Sequence, residues 1–164
     1  MNKLQLINNK IIPQEKLADW VTSHNNKRIV FTNGCFDILH LGHIDYLSKA
    51  ADLGDVLIIG VNTDTSTQKL KGLNRPINNE LQRTTLLAAL FFVDAVILFD
   101  EETPITLITA ITPNILVKGA DYKVENIIGA NHVIDNGGSV ETIAFLDGYS
   151  TTSIENKIIN NSKA

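Results

Sequence analysis

Hydrophobic positions along the chain fall into two patterns. Short apolar runs predict strands over 28–32 (through Ile29, Val30 and Phe31), 56–61, 95–99, 115–117 and 140–145. The run 56–61 is continuous rather than alternating, the mark of a strand buried on both faces. Between the runs lie stretches with helical spacing. The first is 14–23, behind Pro13, with Leu17, Trp20 and Val21 on one side. Others cover 42–53, with Gly54 as its stop, 80–92, a segment opened by Pro104 and ended before Pro113, and 150–159. Residues 62–79 read as a short helix followed by polar, irregular chain. Alternating strands and helices predict an α/β fold, a Rossmann-like doubly wound sheet of about five parallel strands with right-handed crossovers and helices on both faces. One domain is expected over 1–164, with 1–27 as an N-terminal extension bearing a short helix and 28–159 as the core.

Composition narrows the classes of function. The chain has 164 residues and a net charge of −4, so it presents no broad basic surface for nucleic acid or an anionic membrane. The longest apolar run, 86–93, falls far short of the roughly 20 residues that span a bilayer. Residues 1–13 lack the apolar core of a signal peptide, and Cys35 is a lone cysteine with no partner for a disulfide. A cytoplasmic protein is the expectation, in which any phosphate binding comes from a local site.

That site has a clear candidate. Thr32-Asn33-Gly34-Cys35-Phe36-Asp37-Ile38-Leu39-His40-Leu41-Gly42-His43 runs from a strand end through a glycine turn into a helix start. Exposed N–H groups at a helix start attract anions. Two histidines three residues apart share a helical face, and Gly42 leaves the backbone between them open to an anion. Two imidazoles with the backbone of Gly34, Cys35 and Phe36 make a cradle for a triphosphate. A zinc site lacks a third ligand, and no protein ligand to metal is assigned. The other chemically interesting segments also follow predicted strands: Lys69, Lys71 and Arg75 in 69–76, Lys118 and Asp121 in 118–122, and Ser150, Thr151 and Thr152 in 148–152. In open α/β sheets ligands bind beyond the carboxyl ends of the strands.

The His-x-Gly-His segment resembles the signature of the cytidylyltransferase-like nucleotidyltransferases. The sequences Leu70-Lys71-Gly72-Leu73-Asn74-Arg75-Pro76, Val117-Lys118-Gly119-Ala120-Asp121-Tyr122 and Gly148-Tyr149-Ser150-Thr151-Thr152-Ser153-Ile154 resemble the adenylyltransferase half of ADP-heptose synthase. The resemblance covers residues 28–159. It implies transfer of AMP from ATP to D-glycero-β-D-manno-heptose 1-phosphate for the lipopolysaccharide inner core. It also implies Mg²⁺ carried with ATP, and a separate sugar kinase that supplies the acceptor. A homodimer is the base-rate expectation for such an enzyme. The chain departs from many relatives in having Phe145-Leu146-Asp147, with no arginine, ahead of the Ser-Thr-Thr segment. It also lacks the acidic Gly-Asp-Asp-Trp-like loop of glycerol-phosphate cytidylyltransferases.

Adenylyl transfer to a phosphate needs no strong base, because a phosphate monoester is already an anion near neutral pH, with a second pKa of about 6. It needs donors and cations that hold two anions together. His40 and His43 are assigned to the triphosphate, with Thr32 at the strand end. Lys71, Arg75 and Lys118 are candidates for the substrate phosphates, Lys71 and Lys118 being catalytic, and Lys69 is a weaker candidate. Asp121 is implied to accept from ribose hydroxyls. Ser150, Thr151 and Thr152 both cap a helix and hold nucleotide phosphates. Asp37 either orients an imidazole or fixes the turn. Two other readings stay open: a nucleotidyltransferase with a different acceptor (glycerol 3-phosphate, ethanolamine phosphate or a flavin mononucleotide), and a non-catalytic nucleotide-binding module.

Overall fold

The computed structural model describes residues 2–120 and 124–162. Among them a five-stranded, all-parallel sheet runs in the order β3-β2-β1-β4-β5, with β1 Ile29–Gly34, β2 Val56–Asn62, β3 Ala95–Phe99, β4 Ile115–Gly119 and β5 Ser139–Ile143. The order reverses at β1, so β1 and β4 flank the crevice where ligands bind in such sheets. This is the predicted doubly wound fold.

Strand periodicity builds the core. Successive side chains point to opposite faces. Phe31, Ile58, Ile97 and Leu116 pack with helices α2 (Leu17–Ser23), α6 (Ile105–Ile111) and α7 (Ala130–Asp135). Val30, Leu57, Ile59, Val96 and Val117 pack with α3 (Leu41–Ala51) and α5 (Glu80–Ala88) on the other face. All seven residues of β2 are buried, which explains its unbroken apolar run.

Three strands are entered through a residue with an acceptor side chain. Asp55, Asp94 and Asn114 stand just before β2, β3 and β4, and each accepts a backbone N–H of the neighbouring strand or its approach. The donors are Arg28 (2.8 Å), Leu57 (2.8 Å) and Ile29 (2.7 Å) respectively. These bonds satisfy amides at the amino end of the sheet and fix its register.

The differences from the sequence reading have local causes. A helix, α1 (Lys3–Asn8), stands in the N-terminal stretch, capped by the Asn2 side chain, which accepts from Gln5 N–H at 2.8 Å. The chain after it exchanges backbone hydrogen bonds with Val96 through Lys10 and Ile12, covering the β3 edge. α5 starts with a capping box between Asn79 and Gln82, but ends at Ala88 rather than at 92, because the chain must turn to enter β3 through Asp94. Helix α4 (Asp64–Lys71) carries Lys69 and Lys71, so these lysines end a helix instead of lying in irregular chain. α7 occupies the glycine-rich region that the sequence left unassigned, and β5 begins and ends earlier than expected, placing Phe145 beyond the strand. Helix α8 is Thr151–Asn161. No helix among the described residues is long and apolar enough to cross a membrane.

Asn114→Ala leaves the Ile29 N–H without its acceptor. A lost partner for a partly buried amide costs roughly 1–3 kcal/mol. The expected outcome is a melting temperature lower by several degrees with kcat/KM of the folded protein unchanged, read by a thermal melt and a steady-state rate.

Candidate active site

The loop between β1 and α3 brings the strand end, the glycine turn and both histidines together. His40 is the extended N-cap of α3, and His43 lies in the helix's first turn. Their rings stack, with centroids 3.8 Å apart and planes inclined by 19°. Phe36 meets His43 edge-on at 5.3 Å and sits in the left-handed region at φ 48. Gly42 has a different reason from the one its position suggested. A Cβ there would stand 3.1 Å from His40 Nδ1 and 3.2 Å from Tyr149 Cβ, so the glycine admits the His40 ring and the Tyr149 loop rather than open space for an anion.

Both imidazoles are set for the neutral state. Burial lowers the His40 pKa. Burial, then the neighbouring His40 and Lys71 charges, lower that of His43 to about 4. The Ile38 carbonyl favours a proton on the His43 ring, but it does not meet hydrogen-bond geometry. Nδ1 of each ring is buried without a hydrogen-bond partner.

Asp37 takes the structural alternative. It is buried and accepts from Ile77 N–H at 2.7 Å, Asn78 N–H at 3.0 Å and Arg75 at 2.8 Å, while Asn78 Nδ2 donates to its carbonyl at 2.8 Å. Burial alone would raise its pKa. The Asn78 amide, Arg75 and the Ile77 amide outweigh that and hold it below the ordinary carboxylate value. Arg75 also pairs with Glu155 of α8. Its guanidinium is therefore committed to two carboxylates and ties the 75–78 loop to the C-terminal helix.

Arg83 was absent from the sequence reading. It is fully buried on α5, donating to the carbonyls of Cys35 (2.6 Å) and Asn78 (3.0 Å) and pairing with Asp64 at 2.8 Å. An arginine in register with Leu87 and Leu90 on the apolar stripe of a helix was the signal that could have found it.

Three connected cavities form one cleft at the carboxyl ends of the strands. The largest, 540 Å³, is lined by His40, His43, Lys71, Tyr149, Ser150 and Thr151, with other residues of the 145–153 segment. A second, 460 Å³, is lined by Asn33, Gly34, Cys35, Asn62, Lys71 and Lys118 among others. Between them a space of 180 Å³ touches His43, Lys71 and Lys118 as well as Phe36. Ser150 accepts from Ser153 N–H at 3.0 Å, as a cap should. Lys118 donates to the Asn33 side chain at the mouth of the second cavity. Thr32 lies under the site instead of in it, its buried hydroxyl bonded to Tyr46 at 2.7 Å. Thr152 is exposed and does not line the cleft, and Asp121 and Tyr122 fall outside the described residues. Among the described residues no three His, Cys, Asp or Glu side chains gather as a metal site.

A parallel sheet with paired imidazoles at the start of a helix, and lysines around one cleft, is the architecture of enzymes that transfer nucleotidyl groups. The chain belongs to the cytidylyltransferase-like family, whose model matches residues 31–157. It is 58% identical over 149 residues to the bifunctional protein HldE of Campylobacter jejuni serotype O:2, and 52% identical over 147 residues to the bifunctional protein HldE of a Marinomonas species. These matches cover 91% and 90% of the chain but only 31% and 30% of the relatives, so the chain spans about a third of their length. A solved lipopolysaccharide core biosynthesis protein from Thermoplasma volcanium matches with a TM-score of 0.59 and 32% identity, over 76% of this chain and 99% of that one. Pantoate-beta-alanine ligase from Francisella tularensis, at 18% identity and TM-score 0.60 over 94% of this chain and 79% of that one, shares the fold.

The depressed His43 pKa gives a pH signature. The unfolded chain binds a proton below about 6.5, the folded site only near 4, so the unfolded state holds more protons in between. Stability present above 6.5 is therefore lost as pH falls toward 4. His43→Asn removes this contribution. Its melting temperature should fall less steeply than that of the parent between those values, and equal slopes would refute the assignment of a buried neutral ring.

Proposed function

We propose that the protein is an adenylyltransferase that moves AMP from ATP to D-glycero-β-D-manno-heptose 1-phosphate, giving ADP-heptose and pyrophosphate for the lipopolysaccharide inner core. The observation that carries the reading is the stacked pair of His40 and His43 at the start of α3, lining a cleft that continues past Lys71 to Lys118. The similarity to the HldE proteins and to the lipopolysaccharide core biosynthesis protein supports the choice of acceptor.

In this reading a phosphate oxygen of the acceptor attacks the α-phosphorus of ATP. A new phosphorus–oxygen bond forms, the bond to the β-phosphate oxygen breaks, and its electron pair leaves with pyrophosphate. The imidazoles donate N–H groups to the triphosphate as charge moves onto the leaving group. A bound anion favours protonated rings, against the bias that burial sets. Lys71, which borders all three cavities, neutralises charge where donor and acceptor phosphates meet, and Lys118 holds the acceptor phosphate. Backbone groups of Gly34, Cys35 and Phe36 line the phosphates, and Ser150 and Thr151 face the nucleotide. Arg75 reaches a phosphate only by exchanging Glu155 or Asp37 for it. The cleft's donors and cations suit phosphate oxygens, and Mg²⁺ arrives with the triphosphate, held by phosphate oxygens and water. A cytoplasmic homodimer supplied by a sugar kinase completes the proposal.

A product assay offers ATP or CTP with heptose 1-phosphate, glycerol 3-phosphate or flavin mononucleotide. The expected result is ADP-heptose from ATP, while equal or better turnover with CTP or another acceptor overturns the assignment. In the same assay His43→Ala should lower kcat by about 10²–10³ while ATP still binds, since a donor matched to the transition state contributes little to the ground state. A variant that melts early but keeps normal kcat would make His43 a merely structural residue.

A further inference from the structure

The 460 Å³ cavity holds two polar side chains that the chemistry above leaves unused. Glu102 and Asn126 line it from the segments ahead of α6 and α7, both exposed, with no protein group among the described residues competing for their polar atoms. The neighbouring amides are occupied. Asn33 accepts from Lys118, and Asn62 donates to Ser66 Oγ at 3.0 Å. The volume lies within the roughly 300–1,000 Å³ typical of small-molecule sites.

Charge gives the cavity a direction. Lys118 and Lys71 border both it and the small space beside His43, so an anion belongs at that end. Glu102 borders the larger cavity but not the small space, so it repels an anion from the far end. A carboxylate accepts hydrogen bonds from hydroxyls and offers none, while an amide both donates and accepts, so the two together suit adjacent hydroxyl groups. Leu70, Ile128 and Phe145 add apolar surface for the carbon face of a sugar ring.

The support of Glu102 is ordered in advance. Ser66 Oγ donates to the Glu101 carbonyl at 3.1 Å, and Thr63 Oγ1 donates to Asp100. Pro104, buried, opens α6 immediately afterwards. These bonds fix the backbone that carries Glu102, so that only its side-chain rotamers remain to be ordered on binding.

We infer that this cavity is the acceptor subsite, with Glu102 and Asn126 reading the hydroxyls of a sugar 1-phosphate whose phosphate lies toward Lys118 and His43. The assignment rests on the proposed adenylyl transfer and makes Glu102 a specificity-determining residue. Glu102 takes no part in the bond changes, and it acts on which acceptor is held.

The test is steady-state kinetics of the parent, Glu102→Ala, Glu102→Gln and Asn126→Ala, with heptose 1-phosphate and a hexose 1-phosphate as acceptors. Hydrogen bonds to a charged group are worth enough to raise the acceptor KM of Glu102→Ala by about 10–100-fold, with KM for ATP and the melting temperature unchanged. Glu102→Gln, which keeps one acceptor oxygen, should fall between. Preference for the heptose over the hexose should shrink in Glu102→Ala. If the parent makes ADP-heptose and Glu102→Ala keeps the parental acceptor KM and preference, the subsite assignment is overturned while the proposed activity stands. If the parent transfers AMP to no sugar phosphate, the proposed activity fails, and this assignment with it.

Discussion

The buried guanidinium of Arg83 is the constraint on which the site depends. It has no solvent to hydrate it, so its stability requires acceptors from the protein, and it takes them from three separate segments. The Cys35 carbonyl belongs to the turn after β1, the Asn78 carbonyl to the loop before α5, and Asp64 to the start of α4. Removing one such partner would leave buried charge uncompensated, which is why these loops cannot rearrange independently. The contact with Cys35 also orients a peptide plane. Carbonyl and N–H of one trans peptide point in opposite directions, so turning the Cys35 carbonyl toward Arg83 turns the Phe36 N–H away from it. Asp37 repeats the device in the opposite sense, a buried carboxylate accepting from the 75–78 loop. Between them, one buried cation and one buried anion stitch the loop after β1 to the chain in front of α5.

Local patterns made the fold and the histidines legible. A strand buried on both faces must be apolar throughout, a glycine turn between a strand and a helix has few alternatives, and two histidines three apart on a helix must share a face. None of these needs distant information. Helices α1 and α7 were missed because six residues offer too few turns for a periodicity to emerge. The partners of Arg75 were illegible for another reason. Its two carboxylates, Asp37 and Glu155, lie far from it in sequence on opposite sides, and only the tertiary fold brings them together. Sequence assigned it to phosphate because it sits beside Lys71 in a loop after a strand. The fold shows its charge already balanced, while Lys71 remains at the junction of the cavities.

The imidazole pair combines burial with missing partners. Stacked rings beside Phe36 are partly shielded from water, so a proton on either is disfavoured. The same shielding strengthens any interaction with an incoming phosphate, because fewer water dipoles compete for it. Burial that discourages charge in the free protein thus sharpens the response to an anion. Gly42 belongs to this arrangement through packing, since the His40 ring and Tyr149 occupy the space a Cβ would need.

The two walls of the cleft are anchored unequally. The histidines stand at the start of α3, which follows β1, and Val30, Tyr46, Leu47 and Ala50 of these two elements are buried in the core. Ser150 and Thr151 stand at the start of α8, a helix with no buried residue. What holds α8 in place is its Ser150 cap, the Glu155–Arg75 ion pair and the approach of Tyr149 to Gly42, with the nearby ring of Phe145 5.9 Å from that of Tyr46. Few buried contacts mean a low cost of local opening, and elements of low local stability are the ones that binding can order. In the proposed adenylyl transfer, a nucleotide bridging both walls would spend part of its binding free energy fixing α8. Arg75 links α8 to Asp37, and Asp37 fixes the same loop that Arg83 holds, so the position of α8 is tied to the turn after β1. The two walls thus differ in local stability, the histidine wall resting on the core and the α8 wall on surface contacts.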